Sequence, residues 1–556
     1  MLSIVFVIKM CSMKKIARTA GIILIMLVGM AATYKTESNK EFEILKNIEI
    51  FVNLYQEINH YYVDDLDPGK LMRTGIDAMM ASLDPFTNYI SETDIEGYRF
   101  FSEGRYHGIG AASELIDGFN TITELYQDQP ADKAGLKVGD KIVAVEGQDA
   151  KNRTPDELQE ILRGYPGTEV DLTIRRPGKS SDFKIKLVRG EVEVQNVPYS
   201  GMIDNEIGYI TLTTFTQNAG KNVADALRKL KQENPGLKGL IFDLRGNGGG
   251  LLSEAVNVSN VFIPKNELVV TTKGKIKERD SAFKTLNEAI DLNIPMVVLI
   301  NKGSASASEI VSGVMQDYDR AVLMGQRSYG KGLVQNTRDL KYNAKVKMTI
   351  AKYYIPSQRC IQSVEYKNGE PVDISDDRRT AFKTRNGRTV LDGGGLAPDV
   401  LVEKPTERGV LKSLIDENLV FDFVTRFCQT NESIPSVENF HFTDFDGFLA
   451  FLNEKNYEYE SDSEKALKAL EADASEEGLN LKSDIQQLRN KITSAKQDEL
   501  TKYKSEIIDL IEKEISGRYY YQRGKVQMGL RNDLEIKEAA ELLKDQARYK
   551  KILAIQ

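Results

Sequence analysis

The chain reads as an α/β protein with a β-rich module ahead of its main layer and helical segments at both ends. Three observations carry that reading. Two apolar runs, Lys238-Gly-Leu-Ile-Phe-Asp243 and Met296–Asn301, have the character of strands buried on both faces. Each leads through a glycine- or serine-rich turn into a helix, Leu252–Val261 and Ala307–Tyr318, and repeated strand-turn-helix units gather their loops at one end of the strands. Between Gly104 and Val194 the pattern shifts to short strands and glycine turns, and from about Thr406 it becomes charged and helical. At 556 residues the chain is too long for one core, so several domains are expected.

From the N-terminus, Lys14, Lys15 and Arg18 precede an apolar run from Ala20 to Ala32, with Gly29 and Ala31 placed for cleavage. Residues 1–32 therefore read as an export signal, either removed or kept as an anchor, with Met13 as the expected true start. The run is shorter than the roughly 20 residues that a membrane-spanning helix needs. Residues 40–100 form a helical cap: Ile44, Ile48, Val52, Leu54 and Ile58 follow helical spacing, and Leu83-Asp-Pro-Phe-Thr-Asn-Tyr89 ends it in a turn.

Residues 104–194 hold the β-rich module. Gly108-Ile-Gly-Ala111 is a tight loop, Thr121–Leu125 alternates like a strand, and Pro130-Ala-Asp-Lys-Ala-Gly-Leu136 opens a short helix before the Gly139-Asp140 turn. Thr154-Pro-Asp-Glu157 is a capping box with proline at the first helical position, starting a helix that ends near Gly164. Arg176, at a strand end, reads as a solvated charge. The order of these features resembles a PDZ domain. That resemblance implies a groove in which an extended chain end pairs with a strand edge, its carboxylate meeting backbone N–H groups of Gly108, Ile109 and Gly110. Residues 195–405 form the main α/β core and 406–556 a helical extension, where Leu481, Ile485, Leu488 and Ile492, and Ile507, Ile511 and Ile515, are amphipathic stripes for packing on the protein or a second subunit.

A net charge of −8 and a pI near 5.4 advertise no basic surface for nucleic acid or anionic lipid. Three cysteines (Cys11, Cys360, Cys428) supply neither a disulfide framework nor zinc spacing. Only three histidines are present (His60, His107, His441), none within the serine-rich segment.

The chemistry lies in Gly303-Ser-Ala-Ser-Ala-Ser-Glu309 and Gly330-Lys-Gly-Leu-Val-Gln335. A serine at a strand-to-helix junction can serve as nucleophile if a lysine replaces imidazole as base. Ser306 fits the junction, the N–H of Ala307 is unpaired at a helix start, and Gly250 can bring a second N–H close, so the two form an oxyanion hole. Lys331 must be held in a mostly apolar pocket to lose its proton near neutrality, and Gln335 can orient its amine without adding negative charge. Ser304 and Ser308 compete with Ser306, and sequence physics does not choose among the three. Ser306-Ala-Ser-Glu309 also reads as a helix capping box, which is compatible with catalysis.

These segments, with Asp243-Leu-Arg-Gly-Asn-Gly-Gly-Gly250, Leu83-Asp-Pro-Phe-Thr-Asn-Tyr89 and Asp392-Gly-Gly-Gly-Leu-Ala-Pro-Asp399, resemble the C-terminal processing (tail-specific) protease family from about Phe42 to Val402. The resemblance implies a crotonase-like α/β core, Ser306 as nucleophile, Lys331 as general base, Gln335 as its orienting partner, and Gly250 and Ala307 as oxyanion donors. It also implies protein or peptide substrates with exposed C-termini, no metal or organic cofactor, often a homodimer, and export to the periplasm, free or membrane-anchored. Phe86 stands where histidine is expected and Gln358 where glycine is usual; both are expected to lie away from the dyad. A catalytically inactive PDZ scaffold is the alternative reading, and a hydratase or acyl-transfer enzyme on the same core a more distant one.

Overall fold

The computed structural model describes residues 40–362, 366–367, 370–372, 375–403, 408–496 and 499–555; the expected export signal at 1–32 lies outside them. The chain divides into two compact units between Asp84 and Pro85. In the first, a helix over 40–61 is followed by Pro68–Ala81. Asp67 caps the second helix by accepting the Lys70 N–H, with Pro68 at the first helical position. The stripe of Ile44, Ile48, Val52 and Leu54 lies exposed. No helix among the described residues is long and apolar enough to cross a membrane.

The second unit opens with a short strand, Asn88–Ile90, and a helix, Ile95–Glu103, that lead into the PDZ-like module. There the strands Ala111–Ile116, Phe119–Leu125, Lys141–Val145, Glu169–Arg175 and Phe183–Val188 form one antiparallel sheet in that order, leaving Ala111–Ile116 at an edge. Helix Pro155–Leu162 begins at the expected capping box: Thr154 and Glu157 bond each other's backbone N–H. Its Leu158 and Leu162 join Ile122, Ile142, Val145, Val170, Leu172 and Ile174 in a separate core. Arg176 departs from its expected role. Its guanidinium forks onto both oxygens of the buried Asp140 at 2.7 Å and donates to the Gly135 carbonyl, fixing the turn that follows the short helix.

The main sheet runs Tyr199–Met202, Ile207–Thr211, Gly239–Asp243, Met296–Ile300, Val322–Gly325, Val400–Leu401. The first pair is antiparallel and the rest are parallel. Helices Ala219–Glu233, Leu252–Phe262 and Ala307–Asp317 make the crossovers and share one core with Met296, Val298 and Ile300. The alternate residues Val297 and Leu299 face a different core. That second face is covered by the last two helices, Leu534–Lys544 and Gln546–Ile552, through Ile536, Ala539, Leu542, Leu543, Tyr549 and Leu553. Burial on both faces is why the strands read as unbroken apolar runs. Leu543→Ala is expected to cost about 2–5 kcal/mol of stability, measured as a lowered denaturation midpoint, because a side chain only 2% exposed would leave a void between helix and sheet.

In the sequence between the last strand and those closing helices, the helices from Gly409–Asp416 to Lys504–Gly529 form a bundle on a fourth core, in which Phe423 packs against Phe442, Phe448 and Phe451. Ile507, Ile511 and Ile515 are all fully buried there, whereas of the earlier stripe Ile485 is buried and Leu488 exposed. Helix Lys504–Gly529 breaks at Tyr520 and Tyr521, and the Tyr521 hydroxyl donates to Asp132 of the PDZ-like module at 2.8 Å.

Candidate active site

Strands Gly239–Asp243, Met296–Ile300 and Val322–Gly325 end at the same edge of the sheet, and the loops leaving them carry the glycine run, the serine turn and the lysine. Asn301 ties the first two together, its side-chain oxygen accepting the N–H groups of Gly246 and Gly303 at 2.9 Å. Asn247, fully buried, ties them again. Its carbonyl accepts the Ala305 N–H and the Ser308 hydroxyl, while its side chain donates to Leu212 and accepts from Gly249.

These bonds separate the three serines. Ser304 Oγ donates to the Leu244 carbonyl at 2.8 Å and Ser308 Oγ to the Asn247 carbonyl at 2.7 Å, both side chains being buried. Ser306 is partly exposed and caps helix Ala307–Asp317 with φ 55° and ψ −113°, outside the regions that L-residues favour. Strain of this kind costs on the order of 1–3 kcal/mol and persists only where neighbours enforce it. Here Gly249 (φ 102°) lies directly against the turn, since a Cβ on it would fall 2.8 Å from Ser306 Cβ. Gly250 (φ 148°) turns the chain against Phe215. Neither the Gly250 N–H nor the Ala307 N–H has an acceptor among the described residues.

Glu309, the third residue of that helix, is fully buried. Its Oε2 accepts the N–H of Ser306 at 2.8 Å and of Lys331 at 2.9 Å; its Oε1 accepts the Gly330 N–H at 2.7 Å and the Ser328 hydroxyl at 2.5 Å. One carboxylate therefore holds the serine turn and the lysine loop together. Burial pushes its pKa up, against the pull of the Ser328 hydroxyl and the three backbone donors. The Tyr353 hydroxyl adds a further tie by donating to the Ser306 carbonyl at 3.2 Å.

Lys331 Nζ lies 4.3 Å from the centre of the Phe86 ring. The expectation that Phe86 sits away from the dyad is thus corrected: the aromatic residue in the histidine position forms part of the lysine's surroundings. Gln358 adopts φ 68°, a conformation that glycine reaches without strain, which accounts for the usual glycine there. Gln335 sits just past a bulge in the hairpin Leu333–Asp339/Lys345–Tyr354 and donates to Thr349 Oγ1 at 3.2 Å. Gly108, Ile109 and Gly110 belong to the PDZ-like module and not to this cluster. Elsewhere, His107 contacts Arg99, and His441 lies near Glu512 and Arg531. No group of three or more His, Cys, Asp or Glu among the described residues is placed to hold a metal ion.

The glycine loop is braced from the far end of the chain. Arg245 bonds Asp243 at 2.6 Å, Asp533 at 2.8 Å and Glu535, and Glu535 also accepts from Gln326, which follows strand Val322–Gly325.

Comparison with known proteins places each part. Residues 206–369 match the model of peptidase family S41, residues 121–176 that of the PDZ domain, and residues 410–543 that described as "Probable PDZ-protease, C-terminal helical domain". Together they define a PDZ-containing peptidase of the serine type. A carboxy-terminal-processing protease of Bartonella bacilliformis is 32% identical over 381 residues, which cover 68% of this chain and 80% of that protein. A "Probable CtpA-like serine protease" of Staphylococcus haemolyticus is 34% identical over 61% of this chain and 66% of its own length. Among solved structures, the photosystem II D1 C-terminal processing protease aligns with 25% identity and a TM-score of 0.35, over 64% of this chain and 92% of that one. The chain belongs to the carboxy-terminal-processing protease family.

Proposed function

We propose that this protein is an exported endopeptidase that captures protein C-termini in the groove beside strand Ala111–Ile116 and cleaves peptide bonds through Ser306 and Lys331. A bound chain end extends the sheet at that free edge, opposite helix Pro155–Leu162. Ser306 Oγ attacks the scissile carbonyl carbon while the neutral Lys331 amine takes its proton. The N–H groups of Gly250 and Ala307 receive the developing oxyanion. As the tetrahedral intermediate collapses, the lysine ammonium gives its proton to the departing amine, leaving an acyl-enzyme on Ser306. Water, deprotonated by Lys331, then releases the new C-terminus. Gln335 orients the amine.

The observation that carries this reading is the single Glu309 oxygen shared by the N–H groups of Ser306 and Lys331, which keeps nucleophile and base loops in register. A crotonase-like classification of the core, passage to the periplasm with or without retention of residues 1–32 as an anchor, and a homodimer belong to the same proposal.

The test is cleavage of an unstructured polypeptide by the purified protein, followed by mass spectrometry, with the substrate's C-terminus either free or amidated. Cleavage is expected with the free terminus, to slow about tenfold or more with the amide, and to disappear in Ser306→Ala. Serine-independent cleavage would refute the nucleophile, and equal rates on both substrates would refute recognition of the C-terminus.

A further inference from the structure

The loop proposed to receive a substrate's carboxylate is set from behind by a single turn. The Ala131 N–H donates to the Ile109 carbonyl at 2.7 Å and the Tyr126 N–H to the Gly110 carbonyl at 3.1 Å, so the two ends of residues 126–131 grip consecutive carbonyls of the loop. A peptide unit is planar and trans, so fixing the carbonyl of Ile109 aims the N–H of Gly110 the opposite way, and fixing that of Gly110 aims the N–H of Ala111. The turn also abuts the loop: Gly110 (φ 78°) lies so close to Gln129 that a Cβ on it would fall 2.3 Å from that residue's Cβ.

Asp132 closes the turn, and the helical extension holds Asp132. Its Oδ2 accepts the Asp128 N–H at 2.9 Å, pinning a residue in the left-handed region at φ 60°, while its Oδ1 accepts the Tyr521 hydroxyl at 2.8 Å. Tyr521 is the tip of a helical hairpin. Residues 513 and 529 would stand about 24 Å apart along an unbroken helix, yet a Cβ on Gly529 would fall 3.6 Å from Lys513 Cε, so the two arms of Lys504–Gly529 lie side by side. At the bend Tyr521 adopts φ 55° and ψ −156°, a conformation that neighbours must enforce. Tyr519 donates to the Asn431 carbonyl and Tyr520 to those of Ile434 and Pro435 at 3.1 and 3.0 Å, anchoring the bend to the bundle. Tyr521 itself packs on the core that contains Ile109 and Ala131.

We propose that Tyr521 is a positioning residue for the binding of a substrate's C-terminus: through Asp132 it fixes the turn that aims the Gly110 and Ala111 N–H groups, so the helical extension sets the affinity of the PDZ-like module for its ligand. The inference rests on the recognition of C-termini proposed above. A carboxylate gains most from those donors when both point at it together. Because charge-assisted hydrogen bonds are roughly twice as strong as neutral ones, a swing of the turn is felt more by a free acid than by an amide.

The experiment uses the full chain with Ser306→Ala to prevent turnover, alone and combined with Tyr521→Phe, which keeps the ring and removes the hydroxyl. Fluorescence anisotropy reads the binding of labelled decapeptides ending in alanine, valine, leucine or phenylalanine, each as free acid and as C-terminal amide. The free acids are expected to bind more tightly than the amides, and Tyr521→Phe to weaken the free acids about three- to tenfold, the worth of one hydrogen bond, and the amides less. Asp132→Ala, which removes the acceptor of both bonds, is expected to lose at least as much, and adding Tyr521→Phe to it to change nothing further. The ratio of acid to amide affinity separates positioning from packing, since a contact that only holds the module to the bundle lowers the denaturation midpoint and leaves that ratio alone. An unchanged ratio in Tyr521→Phe would overturn the positioning role while leaving recognition of C-termini intact. Free acids that bind the Ser306→Ala chain no better than amides, or not at all, would overturn both.

Discussion

Ser306→Ala is expected to remove peptide cleavage to the limit of detection, and Lys331→Ala to lower kcat by about 10²–10⁴-fold, the range for loss of a positioned general base. The two losses should not multiply, because residues that act as one unit are strongly non-additive, and the double variant is expected to match Ser306→Ala. The neighbouring serines serve as internal controls. Ser304→Ala and Ser308→Ala each remove a buried hydroxyl that donates to a main-chain carbonyl of the glycine loop, costing about 1–3 kcal/mol of stability while keeping the nucleophile. Steady-state rates on a quenched fluorescent peptide, with denaturation midpoints for all five variants, check the set. Full activity in Lys331→Ala would contradict the dyad.

Glu309→Gln is the second substitution expected to have a large effect, although it changes only one atom. The carboxylate is surrounded by donors: two main-chain N–H groups meet one oxygen, and a third N–H with a hydroxyl meets the other. An amide would turn its NH₂ toward one of these pairs and set donor against donor. The serine turn and the lysine loop would then part, and a misplacement of about 1 Å between reacting groups is enough to cost on the order of 10²-fold in rate. We therefore expect kcat to fall about 10²-fold and stability to fall about 1–3 kcal/mol for a donor left unsatisfied. KM should change less than kcat, since no substrate contact is removed. A variant with wild-type kcat would show that Glu309 only caps its helix.

That second role of Glu309 marks how far the chain could be read without coordinates. The strand-turn-helix units around residues 239–262 and 296–318 were legible because apolar run, small-residue turn and helix signal are all local. The capping relation between Ser306 and Glu309 was legible for the same reason. The bonds from Glu309 to Gly330 and Lys331 were not, because they join loops 21 and 22 residues apart that meet only when two parallel strands are side by side. The choice among the three serines was hidden likewise: what separates them is which hydroxyl finds a carbonyl about 60 residues upstream. Phe86 beside Lys331 and Tyr353 behind the Ser306 carbonyl are tertiary neighbours with no sequence signal of proximity. At the C-terminus, amphipathic spacing announced helices but not their destination, and the final pair proved to be a layer of the sheet.

That destination imposes an order on the birth of the protein. A chain is synthesised from its N-terminal end, yet one face of the catalytic sheet, and the partners of Arg245 and Gln326 beneath its working loops, are supplied by residues 533–553. Until that stretch leaves the ribosome, Tyr209, Ile241, Val297 and Leu299 have no cover, and the loops after strands Gly239–Asp243 and Val322–Gly325 stand without their acidic brace. The core is thus complete only once residues 533–553 have been made and docked, and a chain clipped before residue 533 is expected to lose that cover and brace together, read as a lowered denaturation midpoint.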